Sequence, residues 1–229
     1  MITLYDDIKT IFTKKPKILY GFTSSCIDLS EYKDNYKSAL VYAVPYIKNM
    51  NIENYKEEFL EQCIIQAGNE INDIQNEIED VLIKYSVNYI FPSIAQKDEE
   101  NLLAPISFKQ LGVNAGIGWI GKNDLLVSNE YGPRLRLGAV LMDYDFQQNT
   151  MIKKNNCPEN CVLCINACPY KVLKNKLWTN GIKRDEIIDY KLCNNKRSLF
   201  IKKIGRKHSC GYCIVSCNYG LNKKEYNEI

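Results

Sequence analysis

Cysteine is the residue type in this chain with the clearest capacity for chemistry, and its distribution is uneven. The sequence holds ten cysteines, of which only Cys26 and Cys63 lie in the first 150 positions. The other eight are Cys157, Cys161, Cys164, Cys168, Cys193, Cys210, Cys213 and Cys217. Thiols clustered this closely indicate metal binding or catalysis rather than disulfides if the protein is in a reducing compartment.

The spacing of the eight cysteines favours iron–sulfur clusters over zinc. A zinc site needs four ligands, often as two C-x2-C pairs, so eight cysteines could also serve two zinc ions. The run CVLCINACP, which begins at Cys161, instead resembles the C-x2-C-x3-C-P end of the bacterial ferredoxin motif. The run CGYCIVSC, which begins at Cys210, repeats those spacings, and Cys193 completes the count. Cys157 departs from the motif because three residues, not two, separate it from the next cysteine.

In two-cluster ferredoxins the last cysteine of such a run binds the other cluster. The same crossing predicts one [4Fe-4S] cluster on Cys157, Cys161, Cys164 and Cys217, and a second on Cys168, Cys193, Cys210 and Cys213. Ligands that alternate in this way hold two clusters near one another, so an electron can enter at one and leave at the other. The sequence therefore predicts an electron-carrying domain whose electron acceptor lies in the preceding residues.

Length and composition predict a cytoplasmic protein with no membrane partner. At 229 residues the chain is long enough to bury a core without disulfides. Its start, MITLYDDIKTIFTKKP, lacks the apolar run of a secretory signal, and no eighteen apolar residues run uninterrupted. The net charge of +3 is too small to imply nucleic-acid binding by itself.

Residues 1–150 are predicted to form an α/β domain, and residues 151–229 a separate cysteine-rich domain. The boundary falls near the polar segment DFQQNTMIKKNN. Ser38–Val44 and Val87–Ser93 are rich in apolar residues, which predicts two buried strands. Between them, apolar residues recur every three or four positions from Phe59 to Tyr85, which predicts a long amphipathic helix.

The two isolated cysteines receive different interpretations. Cys63 lies on the apolar stripe of the predicted helix, so we interpret it as a core residue. Cys26, in FTSSC, could lie on a loop near a cofactor.

The stretch NAGIGWIGKNDLLVS, residues 114–128, contains G-x-G-x-x-G and G-x4-G-K. Both nucleotide-binding patterns must follow a strand and open a helix. Here a helical pattern precedes the glycines and a strand pattern follows them, so we interpret both matches as accidental. Three glycines with Trp119 and Lys122 in eight positions nevertheless predict backbone held close to a flat or phosphate-bearing ligand.

AGIGWIGKND, EYGPRLRLGAVLMD and the double cysteine array together resemble epoxyqueuosine reductases, which use cobalamin and two [4Fe-4S] clusters to reduce the epoxide of a tRNA precursor base. They are more distantly similar to corrinoid reductive dehalogenases. The resemblance runs from about Ser38, in SALVYAVPY, through Cys217. It implies an α/β cobalamin-binding domain followed by a ferredoxin-like domain that feeds electrons to cobalt. It also implies a corrinoid site lined by Trp119, Ile120, Gly121, Lys122, Asn123 and Leu126.

The sequence departs from the family pattern where the family has its proton donor. That donor is an Asp thirteen positions before the AG of the glycine motif, within D-x-x-P-x-x-E-R. Here the Asp position holds Leu102 and the Glu position holds Phe108, although Pro105 is in register. A leucine cannot donate a proton. The acids in 98–100 could replace the donor or form a solvated loop.

Two further departures concern the end of the chain. Asn218 follows Cys217, where the family usually has proline. The chain ends at Ile229, short of the helical-repeat domain that longer members carry for tRNA, so the resemblance is to a short form. We therefore expect a small-molecule substrate rather than tRNA.

A basic stretch lies between Cys193 and Cys210. It contains Lys196, Arg197, Lys202, Lys203, Arg206, Lys207 and His208. This stretch is either a solvated face or a docking surface for an acidic electron donor such as a flavodoxin or a ferredoxin. Taken together, these features predict a corrinoid-dependent reductase of unidentified substrate, or a two-cluster electron-transfer protein without corrinoid.

Overall fold

The computed structural model describes residues 3–24, 31–46, 50–93, 100, 102–147, 149–152, 154–201, 207 and 209–221. The helices are α1 Leu4–Thr13, α2 Glu57–Lys84, α3 Phe108–Asn114, α4 Leu163–Ala167, α5 Arg184–Ile187, α6 Tyr190–Ser198 and α7 Tyr212–Val215. The strands are β1 Leu19–Thr23, β2 Ser38–Pro45, β3 Tyr89–Ile90, β4 Trp119–Ile120, β5 Leu126–Val127 and β6 Leu135–Met142. The predicted mixed α/β class is confirmed.

The chain divides into two compact units, and both are discontinuous in sequence. Unit 1 comprises Met1–Pro45, Gln66–Gly118 and Arg136–Ile152, and unit 2 comprises Tyr46–Ile65, Trp119–Leu135 and Lys153–Ile229. The boundary predicted near residue 150 coincides with the start of the last segment only. Two earlier segments also belong to unit 2, because their side chains hold the cysteine-bearing loops, as described below.

Unit 1 is built on a four-stranded sheet with the order β1-β2-β6-β3. The strand predicted at Ser38–Val44 is confirmed as β2, and all of its residues are buried, as expected for a strand inside a sheet. β1 pairs with it in antiparallel register, with Leu19 opposite Ala43. The strand predicted at Val87–Ser93 is shorter than expected, because only Tyr89–Ile90 pairs with β6, at the sheet edge and half-buried. Pro92 cannot donate a ladder hydrogen bond.

The long amphipathic helix is confirmed as α2, which has 28 residues. Its buried positions recur at intervals of three and four: Leu60, Cys63, Ala67, Ile71, Ile74, Ile78 and Leu82. Cys63 is fully buried, as its interpretation as a core residue requires. Glu57 and Glu58 in the first turn and Lys84 in the last complement the helix dipole.

Two glycines of unit 1 give a test of the packing. At Gly21 on β1, a Cβ would lie 2.2 Å from the carbonyl oxygen of Ala115, at the end of α3. The Ala115 carbonyl belongs to the backbone and cannot rotate away from the added methyl group as a side chain could. Gly21→Ala should therefore lower the free energy of unfolding by about 1–3 kcal/mol. At Gly68 in α2 the nearest atom to a Cβ would be 3.6 Å away, so Gly68→Ala should raise it by about 0.5–1 kcal/mol. Urea unfolding of both variants measures the contrast, and equal effects would contradict it.

The glycine-rich stretch does not form a nucleotide-binding loop. α3 precedes it and ends at Asn114, and Gly116 then takes a φ of 77°. In unit 2 the next residues form β4, which pairs with β5 in an antiparallel hairpin with Trp119 opposite Val127. The interpretation of the two nucleotide-binding patterns as accidental is confirmed, because Gly121 and Lys122 open a hairpin turn and not a helix. None of the described helices combines the length and apolarity needed to span a bilayer.

Candidate metal centre

All eight clustered cysteines belong to unit 2, and all are free thiols. Cys164 lies in α4, Cys193 in α6 and Cys213 in α7. The other five lie in the loops or caps that adjoin these short helices. A small apolar cluster supports α4, and its buried members are Cys164, Cys168, Val172, Leu173 and Ile188.

Four of the thiols lie close enough to influence one another around Cys164. Burial, together with the nearby thiols of Cys157, Cys217 and Cys161, raises the pKa of Cys164 to about 12. Burial also raises the pKa of Cys217, and Cys157 and Cys161 act on it in the same direction. We call these four residues the first thiol set. They are the four assigned to one cluster from the sequence, although Cys217 is far from the others along the chain.

The remaining four thiols form a second group, which we call the second thiol set: Cys168, Cys193, Cys210 and Cys213. Burial raises the pKa of Cys210, and so do Cys193 and Cys168. Burial also raises the pKa of Cys213. Smaller increases come from the nearby thiols of Cys210, Cys164, Cys193 and Cys168. Because Cys164 belongs to the first set, the two sets adjoin one another.

The pKa values of thiols in both sets are raised for the same electrostatic reason. A thiolate is disfavoured by burial and by other thiolates nearby. The pKa is therefore raised at five of the thiols: Cys164, Cys193, Cys210, Cys213 and Cys217. A bound cation reverses this preference, because a coordinating thiol is deprotonated. Among the residues that the structure describes, no three His, Cys, Asp or Glu side chains have the arrangement expected around a single metal ion.

The turn of the β4–β5 hairpin bonds one cysteine-bearing loop and the cysteine-bearing helix α7. Lys122 is only 2% exposed, and its Nζ donates to the carbonyl oxygens of Glu159 at 2.6 Å and Cys161 at 3.0 Å. The buried Asn123 donates from Nδ2 to the carbonyl oxygen of Cys213 at 3.1 Å. Both side chains therefore bind the backbone beside the thiols.

The other predicted corrinoid residues, Trp119, Ile120, Gly121 and Leu126, are also buried. A Cβ on Gly121 would lie 2.7 Å from Oδ1 of Asn123, so the turn requires glycine. The Trp119 ring meets Tyr219 edge to face at 4.9 Å, and its indole N–H has no hydrogen-bond partner among the described residues. A corrinoid lined by these residues stays a prediction.

Arg134 was not identified as a site residue from the sequence. It is 3% exposed, and its guanidinium bonds the carbonyl oxygens that surround Cys217. A charged residue within the apolar pattern RLRLGAVLM was the available signal, because an arginine is rarely buried without a specific partner.

A second arrangement holds the loop before Cys210. The Tyr55 hydroxyl donates to the carbonyl oxygen of Ser209 at 3.3 Å and accepts from the Gly211 N–H at 3.0 Å. The Ser209 N–H donates to Glu57 Oε1 at 2.9 Å, and its hydroxyl donates to Glu61. Burial raises the pKa of Tyr55 to about 12, so its hydroxyl keeps its proton. These contacts place residues 46–65 in unit 2 with the cysteines.

Several predicted residues lie elsewhere. Cys63 is buried in α2 and is not part of either thiol set. Leu102 is described and has a φ of 53°, a left-handed conformation that Asn and Asp adopt more readily than Leu. The following residues lie outside the described part of the chain: Cys26, Asp98, Glu99, Lys202, Lys203, Arg206 and His208.

Sequence comparison finds similarity between this chain and epoxyqueuosine reductases. No protein-family model matches the sequence. The epoxyqueuosine reductase of Cyclobacterium marinum is 30% identical over 135 residues, which cover 55% of this chain and 40% of that protein. The match therefore spans less than half of that relative's length.

Solved structures share the fold at lower identity. A selenomethionine-labelled epoxyqueuosine reductase superposes with a TM-score of 0.62 and 16% identity, over 96% of this chain and 67% of that one. A catabolic reductive dehalogenase gives a TM-score of 0.69 with 15% identity, over 95% of this chain and 33% of that one. The chain thus has the mixed α/β fold that these two reductase classes share. By sequence it is similar to epoxyqueuosine reductases over about half of its length.

Proposed function

We propose that the chain is an iron–sulfur oxidoreductase that passes electrons through two [4Fe-4S] clusters to a bound corrinoid, for the reduction of a substrate not yet identified. The observation that carries the proposal is the gathering of eight free thiols in one unit as two adjoining sets of four. Residues 151–229 would form its ferredoxin-like part. The activity of the related enzymes supports the reductase class.

The residues present fit iron–sulfur clusters. Four thiols per set match the ligand count of a [4Fe-4S] cluster. Each set has at least one thiol that accepts a backbone N–H, from Tyr219 at Cys217 and from Tyr212 at Cys210, and such donors orient sulfur ligands and tune their electron density. When bound, each cluster accepts and donates one electron at a time. The protein's part is to hold the thiols, to exclude water from them and to release their protons as the metal binds.

Fewer of the residues present are free to contact a corrinoid. Residues 118–123, GWIGKN, carry the resemblance, but the Lys122 and Asn123 side chains already bond carbonyl oxygens beside the cysteines. The buried indole N–H of Trp119 is a donor available to a further group. Cobalamin would supply a cobalt centre that takes electrons from the clusters and delivers them to substrate.

The alternative is a non-catalytic two-cluster electron-transfer protein without corrinoid. Leu102, at the position of the family's proton donor, favours this alternative because it cannot supply a proton. The engagement of Lys122 and Asn123 favours it as well. Both functions need the two clusters, so the presence or absence of a bound corrinoid distinguishes them.

An acidic electron donor such as a flavodoxin or ferredoxin fits either function. Lys191 and Lys196 are exposed on α6, the helix that carries Cys193 of the second thiol set. Exposed positive charge acts mainly on the association rate and is screened by salt. We therefore place the proposed donor at α6.

We expect anaerobically purified protein to be brown and to contain about eight irons and a similar amount of acid-labile sulfide per chain. Metal analysis with a sulfide assay makes the measurement. The matched control is Cys63→Ala, which removes a cysteine outside both thiol sets and should leave the iron content unchanged. Zinc as the dominant metal, with little sulfide, would end the proposal.

Titration with cob(II)alamin then separates the two functions. If the corrinoid binds, its paramagnetic resonance spectrum should change and saturate at one equivalent per chain. An unchanged spectrum in a chain that carries both clusters would support the electron-transfer alternative. Trp119→Phe is an informative variant, because it removes the buried N–H and keeps an aromatic ring.

A further inference from the structure

Two positively charged side chains are buried beside the first thiol set. Arg134 is 3% exposed and Lys122 is 2% exposed. A buried charge is costly unless hydrogen bonds and an opposite charge compensate it. Carbonyl oxygens supply the hydrogen bonds here, and the thiolates of a metal-bound set would supply the negative charge.

The Arg134 guanidinium forms hydrogen bonds with the segment that carries Cys217. Its Nη2 donates to the carbonyl oxygens of Cys217 at 2.8 Å and Val215 at 3.2 Å. Its Nη1 donates to that of Tyr219 at 2.8 Å, and its Nε donates to that of Met50 at 2.8 Å. One rigid guanidinium therefore fixes three carbonyls within five residues of chain. Lysine, with a single ammonium on a flexible stem, cannot match that geometry.

The backbone around Arg134 is packed closely against the same segment. A Cβ on Gly132, whose φ is 59°, would lie 2.1 Å from the carbonyl oxygen of Tyr219. On the other side, a Cβ on Gly220 would lie 2.2 Å from the carbonyl carbon of Tyr131. The backbone of residues 131–132 therefore lies directly against that of residues 219–220, which keeps Arg134 close to the segment that carries Cys217.

The second thiol set has a different electrostatic surrounding. The Arg184 side chain is 37% exposed, and its Nε forms an ion pair with Oδ2 of the buried Asp124 at 2.9 Å. Arg184 lowers the pKa of Cys193, and Asp124 raises it. Among the described residues, Arg197 also acts on this set, and it is only partly buried. Exposed charges are screened by water and salt, so these two arginines favour negative charge on the second set less than the buried Arg134 and Lys122 do on the first.

We infer that Arg134 is a positioning residue for Cys217, and that its buried charge sets the reduction potential of the first-set cluster above that of the second-set cluster. Added positive charge near a cluster favours the reduced form, whose charge is more negative. Electrons therefore run from the second set to the first. This direction agrees with a donor at α6, and the inference rests on the proposed function because it requires both clusters.

The test is a redox titration of the cluster signals by electron paramagnetic resonance in Arg134→Met, Arg134→Lys and wild type. The first-set signal is identified by its loss in Cys217→Ser. We expect Arg134→Met to shift that signal to a more negative potential with the other signal unmoved, and Arg134→Lys to restore most of the shift. Arg197→Gln is the matched control, and it should leave the first-set potential unchanged.

Lys122→Met keeps the test decisive if Arg134→Met loses iron. Lys122 bonds a different loop, so its loss should shift the same signal in the same direction without removing the Cys217 contacts. An unchanged first-set potential in Arg134→Met, or in Lys122→Met where Arg134→Met loses iron, would overturn the inference and leave the proposed function intact, provided that the variant retains eight irons. So would a first-set potential below that of the second set in wild type. A wild-type protein without iron–sulfur clusters would overturn both.

Discussion

We expect Cys217→Ala to damage the cluster held by Cys157, Cys161 and Cys164, and to leave the cluster of the second thiol set in place. Cys217 is only four residues from Cys213 in sequence, but the thiols that raise its pKa, after burial, are those of Cys157 and Cys161. Loss of one of four thiolates should convert or release that cluster, so iron should fall from about eight toward about four per chain.

The resonance spectra of three variants make the assignment independent of iron counting. The signal remaining in Cys217→Ala should match the one remaining in Cys157→Ala, and both should differ from that of Cys213→Ala. If Cys217→Ala instead resembled Cys213→Ala, the crossed ligation would be wrong and each run of cysteines would serve its own cluster. Loss of either cluster should also destabilise unit 2, because the apolar cluster that supports α4 is small.

We expect the chain to reduce epoxyqueuosine in a tRNA stem loop slowly or not at all, and Leu102→Asp to increase the rate. General acid catalysis by a positioned side chain typically contributes a factor of about 10² to 10⁴. Leu102 has a φ of 53°, a conformation that costs a leucine about 1–2 kcal/mol and that Asp and Asn adopt more easily. The backbone at this position therefore suits the family's acid better than the residue present.

Leu102→Asn is the matched control for this prediction. It has the same backbone preference and nearly the same shape as Asp, but its amide cannot act as a general acid. Both variants should be at least as stable as wild type in urea unfolding, and only Leu102→Asp should gain turnover. Multiple turnovers by wild type would contradict the argument from Leu102. An inactive Leu102→Asp variant that binds cobalamin would indicate a different, smaller substrate.

Local pattern in the sequence was sufficient for several elements of this protein. The apolar period of α2 and the apolar run of β2 predicted both elements, because a helix face and a central strand each leave their own signature over consecutive residues. The helix before the glycine motif and the strand after it excluded a nucleotide-binding loop for the same reason. The cysteine spacings predict the metal ligands and their crossed assignment, because the crossed ferredoxin pattern is itself a sequence pattern, and that assignment stays a prediction.

Only the tertiary structure showed what Lys122, Asn123 and Arg134 do. Each side chain donates to carbonyl oxygens between 37 and 90 residues away, and a carbonyl is present at every residue, so no sequence pattern marks the acceptor. The same holds for Tyr55, whose hydroxyl bonds Ser209 and Gly211 and brings a segment from the first third of the chain to the second thiol set. Residue types and spacings therefore predicted which atoms could bind metal. Hydrogen bonds to distant backbone, which depend on the path of the whole chain, decided what holds those atoms in place.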